Sequence, residues 1–307
     1  MLFRSSPDRR RARWAMVAAL VLIAALGIAG KSWWDAEDNA FQRFIYKPLG
    51  LDAAYDTASG RLLLELRKSG WLQKNDDLIP DHNHLIHLYV VSVPKLDKVW
   101  HLHPDMVEPG KFVHAVPPMP SGLYRLFADI VHQTGFPETL TTEIRLPSVK
   151  GTPLTGDDSA GESYSAAIAS KTVSVFEFSD GHRMIWERPS APLQPSQPEF
   201  FRFRLEDANG QPASDMELYM GMPGHAAFVK TDLTVFAHVH PSGTVPMAAL
   251  SLAASDPHAG HAASAALPAT VAFPFAFPKS GAYRIFVQVK RAGKVITGVF
   301  DARAGAP

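Results

Sequence analysis

The sequence predicts an all-β protein behind a single N-terminal transmembrane helix. Three observations carry that expectation. Short apolar runs punctuated by turn signals recur through units of about 100 residues, the pattern of antiparallel β-sandwiches. The chain of 307 residues contains 25 prolines, which suit loop-rich sheets better than long helices. Near the start, Arg9, Arg10, Arg11 and Arg13 precede Trp14–Gly30, an uncharged run dominated by Ala, Val, Leu and Ile. Together these predict two Ig-like antiparallel β-sandwich domains after the helix, without the antibody disulfide, because cysteine is absent.

The elements follow in order. Residues 1–13 form a basic segment expected to stay in the cytoplasm, and 14–30 the membrane span, at the short end of the ~20 residues a span needs. A cleaved signal peptide is the competing reading, with Ala25-Leu26-Gly27 as the small-residue site. Either way the bulk of the chain is expected outside the cytoplasm, in a periplasm-like space, with Trp33 and Trp34 at the outer interface. Residues 31–55 read as a linker, with a short interfacial helix over Ala40–Leu49. The first sandwich is placed at 56–148, with strands Arg61–Leu66, Leu85–Val93, Val99–His103, Leu123–Val131 and Thr139–Leu146. Residues 149–170, rich in Gly, Ser, Ala and Asp, read as a second linker. The second sandwich is placed at 171–304, with strands Thr172–Phe178, Met184–Glu187, Phe200–Glu206, Glu217–Met220, Ala226–Lys230, Val235–His240, Ala282–Lys290 and Val295–Asp301.

Composition narrows the function. Apolar content of 46% supplies packed cores, and thirty basic residues balance thirty acidic ones, so no global field favours nucleic acid. The lack of cysteine removes thiolate zinc sites, iron–sulfur clusters, blue-copper sites and cysteine nucleophiles. No phosphate loop, dinucleotide fingerprint, Gly-x-Ser-x-Gly elbow or His-Glu-x-x-His occurs, and no acid–base constellation is visible, so an enzyme is not expected.

One motif appears twice. His101-Leu102-His103-Pro104 and His238-Val239-His240-Pro241 each close an apolar run; His87 precedes the first with 13 residues between, and His225 the second with 12. Ser121-Gly122-Leu123-Tyr124-Arg125-Leu126-Phe127 likewise matches Ser280-Gly281-Ala282-Tyr283-Arg284-Ile285-Phe286. Residues i and i+2 of a strand share a face, so the two imidazoles of each His-x-His can point one way and meet a third from a neighbouring strand. Candidate metal ligands are therefore His87, His101 and His103, with His84 from Asp81-His82-Asn83-His84, and His225, His238 and His240. Met220 and Met222 are candidate soft ligands in the second set, and Met216 lies nearby. Thioethers favour Cu(I) and imidazoles accept Cu(II), Zn or Ni, so the mixture points to copper. The same motif also fits strand ends with solvent-exposed rings, or a stabilising hydrogen-bond cluster. His114, His132 and His182 have no repeat partner and read as incidental; Asp97 and Asp232 read as turn residues. Asp256-Pro257-His258-Ala259-Gly260-His261 reads as an inserted loop.

Gly221-Met222-Pro223-Gly224-His225, Asp232 and Phe236-Ala237-His238-Val239-His240-Pro241 resemble the YtkA-like domains of bacterial exported proteins. The resemblance covers about 200–304 well and 80–147 more loosely, where His84-Leu85-Ile86-His87 replaces the Gly-His turn. It implies an extracytoplasmic Ig-like sandwich, related in architecture to CopC-type copper carriers, with His225, His238 and His240 as the matching histidines. The N-terminal histidine by which such carriers often bind Cu(II) has no counterpart in this chain.

The resulting expectation is an inner-membrane protein, anchored once, that binds copper in the periplasm for buffering or delivery, with a membrane transporter or assembly factor as partner. The alternative is a non-catalytic structural or interaction module of the cell envelope whose histidines tie loops together. A third reading is a metal-dependent enzyme, with three histidines and an open position activating water.

Overall fold

The arginine cluster and the apolar run belong to one uninterrupted helix, α1 (Ser6–Phe41), in the computed structural model, which describes residues 6–68, 70, 73–164, 174–253 and 267–305. Nothing in 31–41 breaks a helix, and Lys31 and Asp35, one turn apart, form an ion pair at 2.6 Å. The helix therefore runs about 54 Å, longer than the ~30 Å hydrocarbon core. Its apolar stretch is long enough to cross a membrane. The expected linker at 31–55 is thus largely structured. The helix expected over Ala40–Leu49 does not form: α1 ends at Phe41 and a strand begins at Gly50. Residues 1–47 with 69–73 make one unit, and 48–68 with 74–307 a second.

The second unit consists of antiparallel sheets in two similar halves. In the first half an outer sheet runs β1 (Gly50–Asp56), β2 (Arg61–Arg67), β6 (Lys111–Ala115), β5 (Asp105–Glu108). An inner sheet runs β8 (Pro137–Leu146), β7 (Gly122–Val131), β3 (His87–Val93), β4 (Val99–Leu102), β9 (Ser159–Ala160). Strict alternation builds the core between them. Leu62, Leu64 and Leu66 point in from β2, while Arg61, Glu65 and Arg67 face out. They meet Leu88, Val90, Trp100, Leu102, Leu126 and Ile130 of the inner sheet.

The second half repeats the plan. Its outer sheet is β10 (Val175–Glu177), β11 (Arg183–Glu187), β12 (Glu199–Glu206) and β16 (Thr270–Phe275). In its inner sheet β17 (Gly281–Arg291) pairs with β18 (Lys294–Ala304), with β14 (His225–Lys230) and, near its end, with β13 (Met216–Glu217); β15 (Phe236–Val239) pairs with β14. Trp186, Phe201, Phe203, Phe228, Phe273 and Phe300 fill the core. A short helix, α2 (Met247–Ala253), follows β15. Each Tyr-Arg repeat opens the same way: Tyr124 donates its hydroxyl to the Pro120 carbonyl at 2.6 Å, and Tyr283 to that of Lys279 at 2.7 Å.

The inner sheets face each other. β3 is buried along His87–Val91 because both its faces are covered. Leu88 and Val90 point into the first core, whereas Tyr89 and Val91 join the second, with Phe127, Val99 and Leu96. Phe236 of β15 stacks on Phe127 at 4.3 Å between ring centroids. β9 forms within the stretch expected to be a linker, pairing with β4. The strand expected at Thr172–Phe178 is Val175–Glu177, its first two residues lying outside the described ones, as does the loop Asp256–His261.

Candidate metal centre

The strand alternation that makes the cores also aims the histidines. His87, Tyr89 and Val91 share one face of β3; Tyr89 pairs with His101 on β4, and His87 with Asp129 on β7. On the opposing sheet, Ala227 pairs with His238 and His225 with Gln288. Directly paired residues share a face, so all these side chains point into the space between the inner sheets. Gly224, just before His225, is required by packing: a Cβ there would lie 2.7 Å from the Gln288 carbonyl oxygen.

The result, among the described residues, is one cluster of eight histidines drawn from both halves: His82, His84, His87, His101, His103, His225, His238 and His240. Ring centroids link them without a gap, with His84 and His103 at 4.0 Å, His87 and His238 at 5.1 Å, His238 and His240 at 4.4 Å, and His82 and His225 at 5.0 Å. His87, His101, His225, His238 and His240 are all buried, with His101 and His225 fully so.

Hydrogen bonds fix where the protons sit. His87 Nε2 lies 3.0 Å from the Asp81 carbonyl, which only accepts, so Nε2 carries the proton and Nδ1 a lone pair. Tyr219 donates its hydroxyl to the Asp157 carbonyl at 2.7 Å, so toward His101 Nδ1, 3.3 Å away, it can only accept. His101 Nδ1 therefore carries the proton, which Gln288 Oε1 also accepts at 2.9 Å, and Nε2 is the lone pair. These two lone pairs, His87 Nδ1 and His101 Nε2, face one another at 3.2 Å. Neutral imidazoles gain nothing from that arrangement. A cation about 2.0–2.1 Å from both would bridge them at an N–metal–N angle of roughly 100°.

The remaining rings follow the same logic. His103 donates Nδ1–H to Asp158 Oδ1 at 3.0 Å, and His238 donates Nδ1–H to Asp129 Oδ2 at 3.2 Å. Their Nε2 atoms are buried without a partner, as is Nε2 of His82, whose ring bonds the Met220 backbone carbonyl. Both ring nitrogens of His225 lack a hydrogen bond, whereas the His240 ring meets the Val245 backbone carbonyl. A carboxylate on the far nitrogen orients a ligand histidine and raises its basicity. The two halves exchange these supports reciprocally: Gln288 holds His101, and Asp129, its counterpart in the repeat, holds His238.

Among the described residues, two sets of three offer one nitrogen each within 4.8 Å of one another: His87, His101 and His103, and His82, His225 and His240. The first is the set expected from the sequence. The second departs from it: His82 of the first half takes the place expected for His238, which stands between the sets. The left-handed backbone at His82 and Asn83 turns that ring inward, a conformation the sequence of the turn did not reveal. His84 lies at the edge, bonded to Asp157 at 3.2 Å. Met220 and Met222 are half-buried in a turn whose ends bridge Tyr219 and Met222, and Met216 belongs to the hydrophobic core. His114 is not incidental: its Nε2 shares Asp158 with His103, at 2.9 Å. His132 is structural, with both nitrogens bonded, to Asp77 at 2.7 Å and Glu138 at 3.1 Å. Beside the cluster opens a cavity of about 330 Å³ lined by His84, His103, His114, Asp105, Asp157 and Asp158.

Burial, reinforced by neighbouring imidazoles, holds His87, His101 and His225 well below the usual histidine range. It pushes His238 down to about 3 and His240 to about 2. Burial raises Asp129 to about 6. Asp158, though also desolvated, is held well below the usual carboxylate range by hydrogen bonds from His103 and His114. Every histidine with a lowered pKa is thus neutral near pH 7, the form in which imidazole binds metals.

The sheets and the site define a class: an antiparallel β-sheet body with a buried histidine cluster able to hold metal, behind a helix long enough to span a membrane. The model of a family described as a domain of unknown function (DUF8832) matches residues 177–306, which lie in the second half. No curated protein matches the chain. Among solved structures, the chain is similar to one titled "Biofilm associated protein - BSP domain", at 10% identity and a TM-score of 0.20 over 84% of this chain; it spans 30% of that structure's length.

Proposed function

We propose that this protein binds a transition-metal ion, copper by its resemblance to YtkA-like domains, between its inner sheets, and buffers or delivers that ion outside the cytoplasm without catalysing a reaction. One observation carries the reading. Five buried imidazole nitrogens, on His82, His103, His225 and His238, have no hydrogen-bond partner. Each such group costs about 1–3 kcal/mol when left unsatisfied. Buried polar groups are nearly always paired, and His132 in the same chain satisfies both its nitrogens. A bound cation would use the orphaned lone pairs. An all-nitrogen set accepts Cu(II), Zn or Ni, and the resemblance to YtkA-like domains supports copper. The basic N-terminus and apolar helix suit a single-pass anchor in the inner membrane, with a transporter or assembly factor as the recipient.

Calorimetric titration with Cu(II), and with Cu(I) under reducing conditions, is expected to show saturable binding. The His238→Ala/His240→Ala variant should lose at least part of the stoichiometry; titration without saturation overturns the reading. Asp158→Asn, which removes the carboxylate behind His103, should weaken binding by about 10- to 100-fold in a chelator competition.

A further inference from the structure

We infer that the cluster is a single binuclear centre that holds two divalent transition-metal ions close enough to interact, one from each histidine set, with His238 between them. The inference rests on the metal-binding reading and goes beyond it in number, spacing and charge.

Geometry supplies the first argument. The two sets are separate in ligands but adjacent in space. Across the divide, the rings of His82 and His87 are 6.0 Å apart, and those of His101 and His225 6.4 Å. Rings within a set stand closer, as His87 and His103 do at 5.1 Å and His82 and His240 at 5.0 Å, so the two sets are distinct yet immediate neighbours. His238 lies within 5.7 Å of His87, His101, His225 and His240 by ring centroid. Its Nε2 is buried and unpartnered, so it is a fourth donor within reach of either ion.

Charge supplies the second. Two divalent cations side by side in a buried space repel strongly unless negative charge is placed around them. Four carboxylates stand at the cluster's rim, each beside a different histidine. Asp158 bonds His103, Asp157 bonds His84 and Asp129 bonds His238. Asp81 lies 4.0 Å from His82 and is anchored by the backbone N–H of Ala248 at 2.7 Å. Their formal charge equals that of two divalent ions and is twice what one would need. Both halves of the chain contribute ligands to the second set, so that ion also ties the turn at His82 to the second half.

The test uses the full chain loaded with Cu(II). Elemental analysis should give two copper ions per chain. Electron paramagnetic resonance should show dipolar broadening with a half-field transition, or a spin count below the total copper. His82→Gln, which removes one of the three ligands of the second set, should reduce the stoichiometry to one and leave an unbroadened mononuclear signal. One ion per chain in the native sequence, or two with full spin count and no broadening or half-field signal, overturns the binuclear centre while leaving metal binding intact. A His82→Gln protein that keeps two coupled ions also overturns it. No saturable binding at all defeats the earlier reading instead.

Discussion

Acidification of the metal-free protein from pH 7.5 to 5 is expected to remove several kcal/mol of folding stability. His87, His101, His225, His238 and His240 are held neutral in the folded state by burial, with His238 pushed down to about 3 and His240 to about 2. Unfolded, each takes up a proton near pH 6.5. Below that pH the unfolded chain binds more protons than the folded one, so stability falls as pH falls toward the folded-state values. Each histidine contributes about 1.4 kcal/mol per pH unit, or about 2 kcal/mol by pH 5. Asp129 opposes this. Burial raises it to about 6, so between that value and its ordinary range the folded state gains protons first. It offsets about one histidine's share. The net loss is comparable with a domain's whole stability of about 5–15 kcal/mol. Urea midpoints measured across the range should fall steeply below pH 6.5. A flat profile would mean that these rings are hydrated and titrate normally.

Arg284→Ala is expected to cost about 3–5 kcal/mol. Arg284 is fully buried, and its Nε and Nη2 meet Asp301 at 2.9 and 3.1 Å. Its Nη1 donates to the carbonyls of Lys95 and Leu96 in the first half, both at 3.0 Å. Removing it strands a buried carboxylate and two carbonyls, and frees the turn that joins β3 to β4. Arg284→Lys restores the charge but not the fork, so it should recover only part of the loss. The repeat provides a control. Arg125, at the matching position, makes a looser pair with Glu143 at 3.4 Å near the surface, and Arg125→Ala should cost about 1 kcal/mol or less. Equal effects at the two positions in urea unfolding would refute this assignment.

Where alternation was strong, the strands were legible. Arg61–Leu66 and Phe200–Glu206 differ from the observed strands by one residue, because each carries one buried face whose periodicity is written in the sequence. β5 was not, since all four of its residues are exposed and nothing patterns them. Nor was β9, two residues of Ser-Ala held by pairing with β4. The His-x-His pairs were legible for the same reason as the strands: a two-residue period puts both rings on one side. His82 escaped because it sits in a turn, where no periodicity applies and a left-handed backbone decides its direction. His114 escaped because its link to the cluster is a shared carboxylate, Asp158, distant in sequence.

By itself the sequence determined the apolar helix, the repeated sheet halves and which side of each strand carries imidazoles. Those follow from local periodicity and composition, which each segment holds alone. Only the tertiary structure decided what covers that side. The two inner sheets bury their histidine faces against one another, so His82 joins His225 and His240, Asp129 supports His238, and Gln288 supports His101. The reason is physical. Alternation specifies that a face must be buried but not against what, and the pairing of two buried faces is settled by packing and charge between residues far apart in the chain.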